Sequence, residues 1–399
     1  MKYNNIKNKV VLVRLDLNVP IENGKIVDDY RIVSTYQTID TLLKNKNKVI
    51  ITSHLGEDGE SLEPVYKYLN KKYKDLLFIN SIDQKEIANM VDDNFSSASE
   101  AHKKDLSKAQ KESIFNLRNI KKLKTNLIML ENLRCFEGEK KNSAAFAKFL
   151  ASIAQVYVYD AFAVAHRKHA SVVSVARYLP HCVGPLITNE LKGLAPTQKI
   201  NAKTLFILGG AKISTKLPLI DKYLEKGATV FVGGAMAHNI MLSQGISIGL
   251  SLYDKDINNK TLAKKAAFKT NRLYIPYDYI TSQNKIGNTS QKLTNQAIYD
   301  LGPETFSMIK KLIEAHKTII VNGPLGLYEK GYDKGSLAIL RYLASDKCKG
   351  KVTIAGGGDT VELIDKVNLK KHFTFVSTGG GAMLYYMEKG ELPGIVANK

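Results

Sequence analysis

Two groups of residues could carry chemistry, and they occupy different halves of the chain. In the second half, short β-branched or aromatic runs end repeatedly in glycine: TLFILGG, TVFVGG, TIIVNG, VTIAGGGDT and FTFVSTGGG, within residues 204–381. Glycine just past a buried strand lets backbone N–H groups approach a phosphate, and the N-terminus of a following helix adds partial positive charge. In the first half lie four of the eight arginines, Arg14, Arg31, Arg134 and Arg167, three of them in or just past apolar runs. Lysine supplies the ordinary surface charge, so these arginines point to planar, bidentate binding of an anion. A surface ion pair would account for any one of them. Four together favour an anion site.

Such residues must be held by elements, and the chain alternates strand and helix throughout. Strand candidates in the first half are 10–15, 48–52, 76–79, 127–131 and 156–160; the second half adds the glycine-ended runs and 272–276. Helix-period segments between them include 34–44, 143–153, 216–226 and 333–344. Continuous apolar runs suit strands buried on both faces, hence parallel sheets covered by helices. The fold class expected is α/β, with two doubly wound domains. A hairpin is expected at Asn23-Gly24, just before Arg31. The boundary between domains is expected between about 175 and 200, a proline-bearing stretch that could end in a connecting helix. Residues 92–112 are polar and lack apolar periodicity, which suits an insertion or an exposed helix rather than core.

Composition excludes several classes. The 399 residues carry a net charge of +20, yet lysine is spread through mixed-sign contexts rather than gathered in one tract, which argues against nucleic acid as the partner. Three separated cysteines make neither a disulfide framework nor a metal site, and with no signal-like or membrane-spanning run the expected location is the cytoplasm. There is no GxxxxGK[ST], no GxGxxG after a strand and no HRD or DFG set, so P-loop, dinucleotide and protein-kinase patterns are absent. A phosphate site must then be assembled from several strand ends. Within it, GGGDT reads either as a turn with a helix N-cap or as a cradle in which Asp359 positions Mg²⁺ and Thr360 starts the helix.

RLDLNVP, DDYRI, SHLG, LENLR, DAFAVAHRKHAS, LGGAKISTK, VFVGGAM, DLGPET, NGPLGLYE, AGGGDTVELI and VSTGGGA occur in this order between residues 14 and 382. The series resembles the motifs of phosphoglycerate kinase over essentially the whole chain apart from 92–112. The resemblance implies two Rossmann-like domains whose parallel sheets face a central cleft. One is an N-terminal 3-phosphoglycerate domain, 1–180, completed by 382–399; the other is a nucleotide domain, 181–381, that includes the connecting helix. It implies the glycolytic reaction 1,3-bisphosphoglycerate + ADP ⇌ 3-phosphoglycerate + ATP with Mg²⁺, carried out by a monomer. A catalytically weakened relative with a binding role is the alternative.

Carried over motif by motif, the resemblance places Asp16 and Asn18 at the glycerate hydroxyl and carboxylate. It places His54, Arg134 and Arg167 in the basic pocket for the non-reacting phosphate, with Arg14, His166 and His169 in or behind it. On the nucleotide side it assigns phosphates to Lys212, Lys216 and Asn322, and ribose to Glu329. Gly210, Gly233, Gly234, Gly302 and Pro324 shape the base and ribose pocket. Gly357, Gly358 and Thr360 offer N–H donors beside Asp359, and Gly379, Gly380 and Gly381 line the phosphoryl path. The attacking oxygen is already anionic, so the mechanism needs alignment and charge neutralisation rather than a base; Arg31, Lys212 and Lys216, with Gly358 and Gly380, are the catalytic candidates.

The chain also departs from the pattern. After SHLG the family usually has arginine and proline, whereas Glu57 and Asp58 stand here. An acid there would repel a phosphate, so either the loop is remodelled or affinity is reduced; Lys103 and Lys104 could compensate. Val321 replaces the tryptophan usual before NGP, a packing change.

Overall fold

The computed structural model describes residues 1–80, 119–265 and 270–399. The segment 92–112, with Lys103 and Lys104, lies outside the described residues. The chain divides into two compact units, Met1–Glu190 with Glu391–Lys399, and Leu191–Gly390.

The first unit is built on a six-stranded parallel sheet. Its strands are β1 (Val10–Leu15), β4 (Lys48–Thr52), β5 (Leu77–Ile79), β6 (Leu127–Leu130), β7 (Val156–Asp160) and β8 (His181–Val183), in the order β5-β6-β4-β1-β7-β8. Every residue of β1 and β7 is buried, as continuous β-branched and aromatic runs require when helices cover both faces. Val11, Val13, Val49, Ile51 and Val158 form one side of the core and pack with Ile39, Leu42, Val65 and Leu69 from helices 36–44 and 63–72. Between β1 and the first helix runs a hairpin, β2 (Ile21–Glu22) and β3 (Lys25–Ile26), turned by Asn23 and Gly24 at φ 49° and 73°. Two positive φ values in succession are what a two-residue hairpin turn needs.

In the second unit β9 (Thr204–Leu208), β10 (Thr229–Val232), β11 (Leu273–Tyr274), β15 (Thr318–Asn322), β16 (Val352–Gly356) and β17 (Phe375–Val376) make a second parallel sheet, in the order β11-β10-β9-β15-β16-β17. Leu205, Ile207, Ile319, Val321 and Ala355 bury one face against helices 303–315, 334–343 and 358–366. On the opposite face Phe206 meets Tyr223 of helix 217–225, with ring centroids 4.7 Å apart. An antiparallel sheet that periodicity did not suggest, β12 (Asp278–Thr281), β13 (Ile286–Asn288) and β14 (Ile298–Leu301), is inserted between β11 and β15.

Two sequence expectations shift. The division falls at Glu190/Leu191 rather than 180/181, because His181–Val183 pairs with β7 in the first sheet and helix 185–194 spans the division. At the C-terminus it falls at Gly390/Glu391 rather than 381/382, since helix 380–389 belongs to the second unit, while Gly394 and Asn398 bond Ala165 and Val172 of the first.

Candidate active site

The cations of the first unit are placed by the carboxyl end of its sheet. Arg14 is the penultimate residue of β1 and is fully buried; its Nε donates to Ser171 Oγ at 3.0 Å and its Nη2 lies 3.1 Å from His54 Nδ1. Ser171 in turn donates through Oγ and N to the carboxylate of buried Glu139, at 2.6 and 2.9 Å. Asp16 follows β1 and pairs with Arg31 Nη1 at 3.2 Å, while Arg31 Nη1 also donates to the Asn18 carbonyl at 3.0 Å. Arg31 sits on a separate short helix, 30–34, which precedes helix 36–44 and was not expected; Asp28 Oδ1 accepts from Tyr30 N at its start, at 2.8 Å. Arg134 is buried in a single turn whose start is capped by Asn132 Oδ1, 2.9 Å from Arg134 N. Arg167 is exposed.

Burial, reinforced by these guanidiniums, disfavours protonation of the neighbouring histidines. Burial, then the charges of Arg14, Arg134 and Arg31, push His54 well below its ordinary pKa. His166 and His169 are pushed down to about 4, by burial and then by Arg167 for the former and Arg134 for the latter. His54 was assigned to a basic pocket; it contributes a neutral imidazole, and the positive charge comes from arginine. Glu57 meets the cluster directly: its Oε2 lies 2.9 Å from Arg134 Nη1. The same guanidinium donates to the Gly56 carbonyl, and Lys140 donates to the Glu57 carbonyl. Asn18 Oδ1 accepts from Gly56 N at 2.9 Å, which ties this loop to the end of β1.

In the second unit strand order reverses between β9 and β15, the position where open α/β sheets bind ligands. The glycines there serve first to let two backbones cross. Gly209 N donates to the Asn322 carbonyl and Gly210 N to the Pro324 carbonyl, both at 2.9 Å. A Cβ on Gly209 would lie 2.0 Å from the Pro324 oxygen, and one on Gly323, at φ +91°, 2.4 Å from the Gly209 oxygen. Gly323 N is bound by Thr360 Oγ1 at 2.7 Å, so that hydroxyl links β15 to helix 358–366.

Around this crossing stand groups suited to a polyphosphate. Lys216 Nζ donates to the Gly209 carbonyl at 2.8 Å and to Asn322 Oδ1 at 3.2 Å; Asn322 is buried and donates to the Gly356 carbonyl at 2.8 Å. Burial lowers Lys216 to about 8, against a smaller opposing pull from Asp359. The first turns of helices 358–366 and 380–389 converge, since a Cβ on Gly380 would sit 3.5 Å from Gly357 Cα. Gly358 has open space where a side chain would stand, and Asp359 is exposed beside it. Two helix N-termini and one ammonium together present positive charge of the kind that suits an anion.

Next to it opens a cavity of about 210 Å³ lined by Gly210, Gly234, Pro324, Glu329 and Asp359 together with the apolar Leu252, Ile298, Leu325 and Leu327. Lys212 and Gly302 do not line it. Lys212 is exposed, 3.8 Å from Asp256, and Gly302 starts helix 303–315, where a Cβ would strike the Asp278 carboxylate at 2.3 Å. Sequence reasoning did not single out His238, Tyr299 or Asp300, which do line the cavity. His238 had a signal, one helical turn past Gly234; Tyr299 and Asp300 lie in the unsuspected antiparallel sheet. A larger, open hollow of about 690 Å³ in the first unit, lined by Lys72, Lys74 and Lys124, contains none of these residues.

The family model for phosphoglycerate kinase matches residues 1–390. The chain belongs to the phosphoglycerate kinase family. It is similar to the phosphoglycerate kinase of Finegoldia magna, 37% identical with 98% of this chain and 96% of the relative covered. It is also similar to that of the Wolbachia of Brugia malayi, 35% identical with 100% and 98% covered. Among solved structures, phosphoglycerate kinase from Coxiella burnetii superposes with a TM-score of 0.76 at 33% identity, covering 98% of this chain and 96% of that one. The enzyme from Pyrococcus horikoshii gives 0.78 at 26% identity with the same coverage. Membership makes the chain a kinase, and no finding favours a relative reduced to a binding role. Among the described residues no helix is long and apolar enough to cross a membrane.

Proposed function

We propose that the chain catalyses reversible phosphoryl transfer between 1,3-bisphosphoglycerate and ADP, giving 3-phosphoglycerate and ATP, as a cytoplasmic monomer. The observation that carries the nucleotide half is the joining of Lys216 and Asn322 to two glycine-headed helix starts beside a largely apolar cavity that ends in Glu329. For the acid half it is the cluster of Arg14, Arg31 and Arg134 beside the end of β1; in this reading Asp16 and Asn18 take the glycerate hydroxyl and carboxylate, and His54, Arg134 and Arg167 the non-reacting phosphate. Arg31 and Lys216 supply positive charge for the transferring group, and the carboxylate or ADP oxygen attacks in line without a general base.

The donor set around Asp359 fits Mg²⁺. The described residues hold no cluster of three acidic or sulfur and imidazole ligands, and one exposed carboxylate at a helix start is what an ion shared with nucleotide phosphates requires. Bound there, Mg²⁺ would offset the charge of the phosphates. The test is a coupled assay with ATP, Mg²⁺ and 3-phosphoglycerate: ADP should form only when the acid is present. ADP release independent of the acid would overturn the reading.

A further inference from the structure

Three carboxylates of the described residues belong to the arginine cluster of the first unit, and they are not equivalent. Asp16 pairs with Arg31 with only 5% of its side chain exposed. Glu139, at 1%, is bound by Ser171 and faces Arg14 and His169. Glu57 differs: 69% of its side chain is exposed, yet its Oε2 rests 2.9 Å from Arg134 Nη1, a guanidinium with only 3% of its side chain exposed. The carboxylate therefore covers a buried cation from the solvent side. Its loop is turned by Gly56 and Gly59 at φ +61° and +92°, and is tied by Arg134 to the Gly56 carbonyl and by Lys140 to the Glu57 carbonyl. The backbone bonds hold Glu57 over Arg134, and most of its side chain faces solvent. Burial raises its pKa, but the hydrogen bond from Arg134 and the charges of Arg134, Arg167 and Lys140 outweigh this and keep it ionised.

We propose that Glu57 is a tethered counter-ion that occupies the anion position on Arg134, which the phosphate of the acidic substrate must displace, so that this residue lowers the affinity of the pocket for its anions. The inference rests on the reading that this unit binds the phosphorylated acid. Glu57 is the solvent-facing member of the pair, so Glu57→Gln removes its charge without opening the core and still leaves an amide oxygen beside the buried guanidinium. The carboxylate competes with every anion that seeks the same guanidinium. Removing the competing charge should strengthen anion binding about two- to five-fold.

Glu57→Gln and Arg167→Ala, both at exposed side chains, are compared with the unaltered enzyme. The readouts are KM for 3-phosphoglycerate, KM for ATP, and competitive inhibition by inorganic phosphate. Expected for Glu57→Gln are a KM for 3-phosphoglycerate lower by about two- to five-fold, tighter inhibition by phosphate, and an essentially unchanged KM for ATP. If Glu57→Gln leaves both anion constants unchanged while Arg167→Ala raises KM for 3-phosphoglycerate, the pocket is correctly placed and the counter-ion role is wrong. A raised KM in Glu57→Gln also overturns it, since Glu57 would then orient Arg134 for the substrate. If neither variant changes KM for 3-phosphoglycerate, the placement of the acid in this unit fails, and the inference with it.

Discussion

Lys216 loses hydration on folding and recovers contacts only from the Gly209 carbonyl and Asn322 Oδ1, so its ammonium is held with a pKa of about 8. Burial disfavours the charged form of a lysine, and the charged form is the one that neutralises a phosphoryl group. The sign follows: kcat/KM should fall as pH rises through about 8 in the free enzyme. In Lys216→Arg the guanidinium stays charged, so that alkaline limb should vanish even though the rate drops. A pH profile with the limb unmoved in the variant would assign the limb to another group. Glu57 shows what residue-level reading can and cannot do. Its acidity in place of a phosphate-binding arginine was legible, and so was the conflict it creates. Its partner Arg134 was not, because the pair is brought together by the packing of the loop after β4 against the turn after β6, which no local pattern records.

At the scale of elements, strands 10–15, 48–52 and 156–160 were legible to the residue, because a buried parallel strand must be apolar on both faces and is cut off sharply by polar or glycine residues. The antiparallel sheet was not, for β12 and β14 mix polar with apolar residues over four positions each. Glycine signals were legible as punctuation but not as geometry: Gly209 and Gly323 permit a backbone crossing, while Gly358 and Gly380 leave open helix starts. Helix 303–315 illustrates a cap read from neither neighbour in sequence. Asp278 Oδ2 accepts from Glu304 N at 3.0 Å, and its Oδ1 from Thr305 N at 2.6 Å and Thr305 Oγ1 at 2.7 Å. Asp278→Ala should therefore cost about 2 kcal/mol. In thermal denaturation this appears as a lowered midpoint for the unit that contains the helix; an unchanged midpoint would show that water replaces the cap.

Over the whole molecule, the acid and the nucleotide are assigned to separate units, and phosphoryl transfer requires their reacting oxygens and phosphorus within bonding reach. Closure by bending near helix 185–194 is the movement proposed to achieve this. Small-angle scattering should then report a smaller radius of gyration with 3-phosphoglycerate and nucleotide bound together than with either alone. No change with both ligands would oppose such closure. The central claim is that catalysis here comes from charge neutralisation supplied from both units rather than from a base. Single-turnover transfer in Arg31→Ala tests it most directly, with ADP affinity measured on the same protein. The rate should fall by about 10² to 10³, equivalent to about 3–4 kcal/mol, while ADP affinity stays within about two-fold. A rate close to that of the unaltered enzyme would contradict the claim.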